Sequence, residues 1–375
     1  MIKISNVSKS YKENHEVLSR ISFDINDKEL IVLLGESGCG KTTLLKIINR
    51  LEKATSGEIE IDGQNIIDID PVKLRRKIGY VVQQVGLFPH MIVKENLEIV
   101  CKIKKEDEAT YSKQILQMLK MVGLDADKFL YRYPSELSGG QAQRIGVARA
   151  YMANSDLILM DEPFSALDPI TRNELQDELL RLQHTYPKTI VFVTHDITEA
   201  IKIADRIVLL NKGKIEQIGT PRELLINPKS EYVSKFLGEK RIWNSPWLIQ
   251  CRDVMSTKLS CVKQSEHMKI VWDMFRQDKI QTILVIDENG KAVGKLTEKI
   301  LMRNIDVNSI DQVMKKSFDY VFEKTSLHDA VRQMNEKNIL YMPVLDKNMR
   351  PTGMINMTDL MKIFDSNVLS TTVEV

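Results

Sequence analysis

Two stretches of this sequence have the residue types and spacing of a phosphate-binding site. The first, residues 35–42, reads G-E-S-G-C-G-K-T and lies between the apolar run L-I-V-L-L and the helical pattern T-L-L-K-I-I-N-R-L. A glycine-rich turn between a strand and a helix presents backbone N–H groups to phosphates, and the positive helix end adds to their attraction. We expect Lys41 to reach β- and γ-phosphates and the Thr42 hydroxyl to ligate Mg²⁺. The nucleotide contacts predicted here are Gly35, Glu36, Ser37, Gly38, Cys39, Gly40, Lys41, Thr42 and Thr43.

A pair of carboxylates supplies the complementary chemistry. L-I-L-M-D-E at 157–162 is an apolar run that ends in two acids, and ligands of open α/β sheets bind at the carboxyl ends of strands. We predict that Asp161 holds Mg²⁺ through water and that Glu162 polarises the water that attacks the γ-phosphate. Taken alone, such a pair would more often cap a helix or face solvent, and only the glycine-rich loop favours the catalytic interpretation.

Three further side chains are candidates for the same site. His195 follows the apolar run I-V-F-V-T and is predicted to contact the γ-phosphate. Gln83, in G-Y-V-V-Q-Q-V-G-L-F-P-H, follows another apolar run and could touch Mg²⁺ or the water, although Gln84 beside it fits the local pattern equally well. The ring of Tyr11 could stack on adenine, and without the other motifs it would be an ordinary surface tyrosine.

The second stretch is L-S-G-G-Q at 137–141, before the helical pattern A-Q-R-I-G-V-A-R-A-Y-M. A serine hydroxyl, two glycines that permit close backbone approach and a helix N-terminus together suit an anion. The local alternative is that Ser138 is only an N-cap. The residues of this second site are Ser138, Gly139, Gly140 and Gln141.

Composition narrows the class of protein. The 375 residues, 43% of them hydrophobic and 28% charged, suit a globular chain of two or three domains. A net charge of +2, from 53 basic and 51 acidic residues, gives no reason to expect nucleic acid as a partner. The cysteines lack metal-ligand spacing, which argues against a zinc site or a disulfide framework. No apolar run approaches the roughly 18 residues of a membrane-spanning helix.

The elements that position these residues can be read from the apolar pattern. Short apolar runs alternate with longer mixed segments over 1–235, which predicts an α/β domain with helices outside a mostly parallel sheet. A Gly, Pro and Trp segment at 236–250 is predicted to be a linker. Beyond it the chain repeats: V-M-S-T-K-L-S-C-V at 254 matches V-M-K-K-S-F-D-Y-V at 313, an offset of 59 residues. Each copy, 251–308 and 309–366, is predicted to be a β-α-β-β-α unit that needs the other to bury a core, followed by a tail at 367–375.

The order and spacing of these motifs over 1–235, with S-A-L-D at 165–168, resemble the ATP-binding subunit of ATP-binding cassette (ABC) transporters. The resemblance implies a head-to-tail dimer in which L-S-G-G-Q of one copy closes on the ATP held by the other, with Mg²⁺ as cofactor. It also implies that Asp168 acts across that dimer and that the stretch from Gln83 to Asn96 docks on membrane permease subunits. The protein is then expected at the cytoplasmic face of the membrane, working indirectly with an extracytoplasmic substrate-binding protein.

The repeat resembles a pair of CBS (cystathionine β-synthase type) motifs, and a cassette fused to such a pair resembles the ATPase of importers for glycine betaine, carnitine and choline. Alternatives are an importer of another trimethylammonium compound such as ergothioneine, or a soluble ABC ATPase acting on the ribosome or DNA. The resemblance implies regulation by cyclic di-AMP, another adenine nucleotide or ionic strength. The candidate contacts are Thr282, Tyr341, Thr358 and Asp359, each of which could equally serve packing or helix capping.

In the first repeat, Lys299 and Ile300 stand where the second repeat has Thr358 and Asp359. Two equivalent nucleotide sites are therefore not expected, and one site, or one shared across a dimer, fits the sequence better.

Overall fold

The computed structural model of the chain describes residues 1–12, 15–83, 86–153, 155–238, 247–277, 281–303, 307 and 309–368. They form two compact units, Met1–Leu237 and Gly238–Val375. Most of the predicted linker, at 239–246, and most of the predicted tail, at 369–375, lie outside the described residues. None of the helices in the described ranges has the length and apolar character needed to cross a bilayer.

The first unit alternates strands and helices. Its strands are β1 (Ile2–Lys12), β2 (His15–Ile25), β3 (Leu30–Leu34), β4 (Ser56–Ile61), β5 (Gln64–Asn65), β6 (Ile78–Val81), β7 (Leu157–Asp161), β8 (Thr189–Thr194), β9 (Arg206–Asn211) and β10 (Lys214–Gly219). Its helices are α1 (Lys41–Ile48), α2 (Pro71–Arg76), α3 (Val93–Lys104), α4 (Glu108–Met121), α5 (Ala126–Phe129), α6 (Gly139–Met152), α7 (Pro169–Thr185), α8 (Ile197–Ile203), α9 (Pro221–Ile226) and α10 (Glu231–Leu237).

A six-stranded sheet in the order β10-β9-β3-β8-β7-β6 forms the centre of this unit, and all its strand pairs are parallel except β9 with β10. Every residue of β3, β7 and β8 is buried, which confirms the prediction from their unbroken apolar runs. Leu34 pairs with Thr194, and Asp161 pairs with Val193. The polar residues that follow these strands are therefore brought to one edge of the sheet.

The central sheet separates two hydrophobic cores. Leu30, Val32 and Leu34 face a core built with α3, α4, α6 and α7, whereas Ile31 and Leu33 face a core built with α1 and a second sheet. That second sheet, in the order β2-β1-β4-β5, is antiparallel. The mostly parallel sheet predicted from the apolar runs did not include this antiparallel sheet.

The second unit contains the two sequence repeats, each with a three-stranded sheet. The first has β11 (Cys261–Lys263), β12 (Thr282–Ile286) and β13 (Ala292–Thr297), and the second has β14 (Val321–Phe322), β15 (Tyr341–Leu345) and β16 (Pro351–Asn356). The helices are α11 (Cys251–Val254), α12 (Met268–Gln277), α13 (Glu298–Met302), α14 (Ile310–Val313), α15 (Leu327–Glu336) and α16 (Met357–Val368).

The short helix that opens each repeat packs in the core of the other repeat. Cys251 of α11 is completely buried in the core of the second repeat, and Ile310 and Val313 of α14 are buried in the core of the first. A Cβ on Gly353 would lie 2.3 Å from the sulfur of Met255, so the glycine is needed for this close packing. The two repeats are interlocked, because each contributes its first helix to the core of the other.

Candidate nucleotide site

The glycine-rich loop joins β3 to α1 as the motif predicts. Gly38 and Gly40 have φ values of 80° and 104°, in the left-handed region that favours glycine. A Cβ on Gly40 would lie 2.5 Å from the Leu18 side chain, whereas one on Gly38 would meet nothing within 4 Å. The loop is thus closed on the side that faces β2 and open at Gly38.

Lys41 is buried inside this loop. Its ammonium donates hydrogen bonds to the carbonyl oxygens of Gly35, at 2.7 Å, and Glu36, at 2.8 Å. Glu36, Ser37 and Gly38 are exposed. A buried cation under an exposed glycine turn at a helix N-terminus is a donor set that fits a triphosphate.

The predicted magnesium ligands are in contact. The Thr42 hydroxyl donates to Asp161 Oδ1 at 2.8 Å, although the two residues are far apart in the sequence. Burial raises the pKa of Asp161, the charge of Glu162 raises it further, and the Thr42 hydroxyl opposes both effects. Hydroxyl and carboxylate oxygens are the ligands that Mg²⁺ prefers, so the pair fits the cation that accompanies ATP.

Glu162 is held between two other predicted residues. His195 Nδ1 lies 3.1 Å from Glu162 Oε1, and Gln83 Nε2 donates to Glu162 Oε2 at 3.4 Å. The backbone of Glu162 has a φ of 44°, and its N–H donates to the Val193 carbonyl at 3.0 Å. This turn fixes the carboxylate just beyond β7, in reach of both neighbours. Gln84, the alternative to Gln83, lies outside the described residues.

Two further residues that are predicted to contact the nucleotide, Tyr11 and Thr43, lie on β1 and α1. Tyr11 lies at the end of β1 with 52% of its surface exposed, and the Lys9 ammonium is 4.7 Å from its ring centroid. Thr43 is half-buried in the first turn of α1. The Tyr11 ring is exposed on a hairpin whose second strand borders Gly40, so a base could reach it. The ring also makes a cation-π contact with Lys9.

The L-S-G-G-Q stretch caps α6. The Ser138 hydroxyl accepts from the Gln141 N–H at 3.3 Å, and the Gln141 side chain accepts from the Ser138 N–H at 3.0 Å. This reciprocal capping box is the local role that the sequence left open for Ser138. Gly139 has room for a Cβ, whose nearest neighbour would be Leu167 at 4.0 Å, whereas a Cβ on Gly140 would lie 2.6 Å from Thr171.

Asp168 caps α7 and packs near this stretch. Its carboxylate accepts from the N–H groups of Ile170 and Thr171, each at 3.1 Å. Hydrogen bonds from the Thr171 side chain and backbone hold the pKa of Asp168 below its ordinary value. Asp168 is therefore an anion whose position is fixed by the first turn of α7.

Two contacts near the site were missed by sequence reasoning. Asn96 is completely buried; its side chain accepts from the Phe88 N–H at 2.7 Å and donates to the Met91 carbonyl at 2.9 Å. Arg149 donates to the Gly86 carbonyl at 2.8 Å. Both residues shape the segment that follows Gln83. A polar residue on the apolar face of α3, beside Val93 and Leu97, was the available signal for Asn96.

A separate cavity of about 260 Å³ lies in the repeat unit. It brings together three of the four predicted regulatory residues, namely Thr282, Tyr341 and Asp359, whereas Thr358 is not among its lining residues. The Thr358 N–H donates to Asn356 Oδ1 at 3.0 Å, and the Asn356 amide donates to Asp359 at 3.1 Å. The cavity thus has an aromatic ring, hydroxyls and a carboxylate on its wall.

Comparisons with known proteins agree with both parts of this architecture. Residues 18–165 match the family model described as ABC transporter, and residues 251–307 and 310–366 match the CBS domain model. The dimeric ATP-binding cassette MJ0796, in a post-hydrolysis state bound to ADP and Pi, is 37% identical and has a TM-score of 0.53 over 59% of this chain and 99% of that one.

Relatives extend the likeness over nearly the whole chain. The choline transport ATP-binding protein OpuBA of Bacillus subtilis (strain 168) is 43% identical over 98% of this chain and 97% of its own length. The glycine betaine/carnitine/choline transport ATP-binding protein OpuCA of the same organism is 44% identical over the same shares. The chain belongs to the ATP-binding subunits of ABC importers of the quaternary amine uptake family.

Proposed function

We propose that Glu162 is the catalytic base of this transport-coupled ATPase. The single observation that supports it best is the position of its carboxylate between Gln83 and His195, beside the Thr42–Asp161 pair. Thr42 and Asp161 would hold Mg²⁺, whose positive charge would offset that of the phosphates. In this proposal Lys41 and the loop N–H groups hold the phosphates, Glu162 takes a proton from water, and His195 contacts the γ-phosphate.

The test is Glu162→Gln, which keeps the size and the hydrogen bonding of the side chain but removes its basicity. We expect the purified variant to bind ATP, to form an ATP-dependent dimer, and to hydrolyse ATP about 100-fold or more slowly than the parent. Exposed Glu174→Gln serves as control. Steady hydrolysis by Glu162→Gln near the parental rate would refute the assignment.

Cassettes of this family act as dimers and with permease partners, and we propose that this chain forms the head-to-tail arrangement. Ser138, Gly139, Gly140, Gln141 and Asp168 would then act on the nucleotide of the second copy. The open space at Gly139 supports this, because a phosphate could approach the α6 N-terminus there. The test places cysteines at Ser37 and Gly139 in the Glu162→Gln background. With ATP, a disulfide should form between two copies of the chain and not between the two cysteines of one copy.

We propose that the permease docks on a groove of about 430 Å³ beside α2 and α3. Its floor includes Val72, Tyr80 and Ile103, and Val72 and Ile103 are exposed. Its basic wall is formed by Arg75, Arg76, Lys104 and Arg149. A short amphipathic permease segment with an acidic residue fits this combination. Because Arg149 also bonds Gly86, docking would reach the segment that follows Gln83.

Charge reversal tests this surface. Arg76→Glu should lower co-purification with the permease and stimulation by it, while the basal ATPase rate of the isolated subunit stays within about twofold. The control is Lys113→Glu, an exposed position on α4 that lies outside the groove. Equal loss in both variants would argue against the groove.

We propose that the cargo is a quaternary ammonium osmolyte of the glycine betaine, carnitine and choline type, supported by the names of the full-length relatives. A relative for trimethylamine N-oxide, 39% identical over 77% of this chain, keeps other trimethylated compounds, such as ergothioneine, as alternatives. A soluble factor for ribosomes or DNA is not favoured. The test measures uptake of each labelled compound by cells that carry the intact gene and by cells that carry the Glu162→Gln allele. The cargo is the compound whose uptake is lost with Glu162→Gln.

We propose that the subunit lies at the cytoplasmic face of the membrane, with a substrate-binding protein on the other side. We propose the domain bounds 1–235 for the cassette, 236–250 for the linker, 251–308 and 309–366 for the two repeats, and 367–375 for the tail.

We further propose that the repeat cavity binds an adenine nucleotide such as cyclic di-AMP, with Tyr341 stacking on a base and Asp359 contacting a ribose. Calorimetry of the full chain with cyclic di-AMP and with AMP tests this proposal. Tyr341→Ala should weaken binding, whereas the control Tyr320→Ala, which is outside the cavity lining, should not. Absence of heat would leave the repeat a structural or ionic role.

A further inference from the structure

Arg172 connects the loop that ends in Asp168 with the segment that carries His195. It lies on α7, in the helical turn that follows Asp168. One nitrogen of its guanidinium donates to the Leu167 carbonyl at 3.0 Å, and another to Asp196 Oδ2 at 3.2 Å. Leu167 belongs to the S-A-L-D loop that ends in Asp168, and Asp196 directly follows His195. One side chain thus contacts both loops.

Asp196 is itself fixed in place. Its second carboxylate oxygen accepts from the N–H groups of Thr198 and Glu199, at 2.8 and 3.2 Å, and so caps α8. Its own N–H donates to the Thr194 hydroxyl at 3.0 Å. The carboxylate that binds the guanidinium is therefore held in the same turn as His195.

Further polar pairs join α7 to α8. The buried Gln176 amide donates to Glu199 at 3.1 Å. The Lys202 ammonium lies 2.8 Å from Asp177 and donates to the Asn173 carbonyl at 3.2 Å. These pairs hold the two helices together, and the Arg172 pair is the one among them that also touches a loop at the site.

Within the described part of the chain, the two contacts leave one nitrogen of the Arg172 guanidinium unsatisfied. Its Nε is buried and has no hydrogen-bond acceptor among the residues that the structure describes, and a buried donor without an acceptor costs stability. Buried groups of this kind call for an explanation, and one of the explanations is function.

We propose that Arg172 is a positioning residue that links His195 of one ATP site to Asp168, which under the proposed function acts at the other site of the dimer. A shift of His195 when the γ-phosphate is bound or lost would move Asp196, and the guanidinium would carry that shift to Leu167 and Asp168. The pair would thereby make hydrolysis at the two sites interdependent. This inference rests on the proposed function.

The test compares the full-length parent with Arg172→Gln, Arg172→Lys and Asp196→Asn. Asparagine still caps a helix, so Asp196→Asn removes the ion pair but not the cap. We expect Arg172→Gln and Asp196→Asn each to lower kcat by about 10-fold, the size of effect that a small misplacement causes. The Hill coefficient for ATP should fall towards 1, and the affinity of single subunits for ATP should stay within about twofold of the parental value. Lysine cannot make both contacts of the planar guanidinium, so Arg172→Lys should be intermediate.

The double variant and a matched control decide the interpretation. If the pair acts as a unit, Arg172→Gln with Asp196→Asn should cost no more than either change alone. Lys202→Gln removes another polar link between the same helices away from the loops, and it should keep the parental kcat and Hill coefficient. Equal kinetic losses in Lys202→Gln, or an unchanged Hill coefficient in Arg172→Gln, would overturn the inference. A parent without ATPase activity would instead show that the proposed function is wrong.

Discussion

The charged Asp161 carboxylate destabilises the nucleotide-free protein, and a bound cation would offset this destabilisation. Its carboxylate is buried at the end of β7 beside the acid Glu162, and burial raises its pKa above the usual value. A raised pKa in an acid means that the folded state holds the charged form at a cost. This cost is fully present above the raised pKa and disappears as the pH falls towards the value of the unfolded chain.

Asp161→Asn should therefore stabilise the nucleotide-free protein at neutral pH. The amide oxygen can still accept the Thr42 hydroxyl, and the charge is gone. We expect the melting temperature at pH 7.5 to rise by about 2–4 °C, while ATP hydrolysis falls to background. The gap to the parent should shrink as the pH falls through the raised pKa of Asp161 towards the ordinary value of an aspartate. Asp156→Asn, exposed just before the same strand, should change neither quantity. A melting temperature of Asp161→Asn below that of the parent at pH 7.5 would contradict this account.

At the level of single residues the sequence was informative where a motif combines unusual residues in a short span. Lys41, Thr42 and Asp161 could be predicted because a glycine turn and an acid-ended apolar run each require a specific location on a sheet. Arg172 could not, because its meaning lies in Asp196, which is distant in the sequence and reached only through tertiary packing. An arginine in the first turns of a helix is ordinary by itself.

The start of α6 shows how an element separates two neighbouring glycines. A Cβ at Gly139 would meet only Leu167, at 4.0 Å, but one at Gly140 would lie 2.6 Å from Thr171 on α7. Thr171 also donates to Asp168. Gly140 is therefore needed for the packing of α6 on α7, whereas Gly139 is open to a partner.

Gly139→Asp should leave the fold intact, since there is room for the side chain and an acid at a helix start interacts favourably with the helix dipole. Its charge would repel the γ-phosphate of the second copy, so we expect normal ATP binding without dimer closure or hydrolysis. Gly140→Ala should instead lower the free energy of unfolding by about 1–3 kcal/mol through overpacking. Unfolding curves and ATP-dependent gel filtration measure both. Dimer closure by Gly139→Asp would refute a role for this helix start in the partner's site.

For elements, the apolar pattern predicted the central strands β3, β7 and β8, because strands buried on both faces leave an unbroken apolar run. It did not predict the antiparallel sheet with β1 and β2, because an apolar pattern can identify a strand but not its partners. The polar Asn96 on the apolar face of α3 was a signal of a buried role, but its bonds to backbone carbonyls leave no pattern that identifies the segment it organises.

At the scale of the whole chain, the offset of 59 residues predicted the repeat unit but could not show the exchange of the leading helices. The offset is the same whether α11 and α14 pack on their own repeat or on the other one. The structure decides this point: Cys251 contributes to the core of the second repeat, and Val313 contributes to the core of the first. A change in either helix should therefore be felt in the repeat that does not contain it.

Charged substitutions make this crossing measurable. An unpaired carboxylate in a buried site is costly, so Cys251→Asp should open the second repeat and Val313→Asp the first. By hydrogen exchange of the full chain, Cys251→Asp should lower protection of β15 and β16 by at least about 10-fold more than that of β12 and β13, and Val313→Asp should do the reverse. The two variants control for each other, because both place the same group in a short leading helix. If each change instead loosened the repeat that contains it, the interlocked arrangement of the two cores would be wrong.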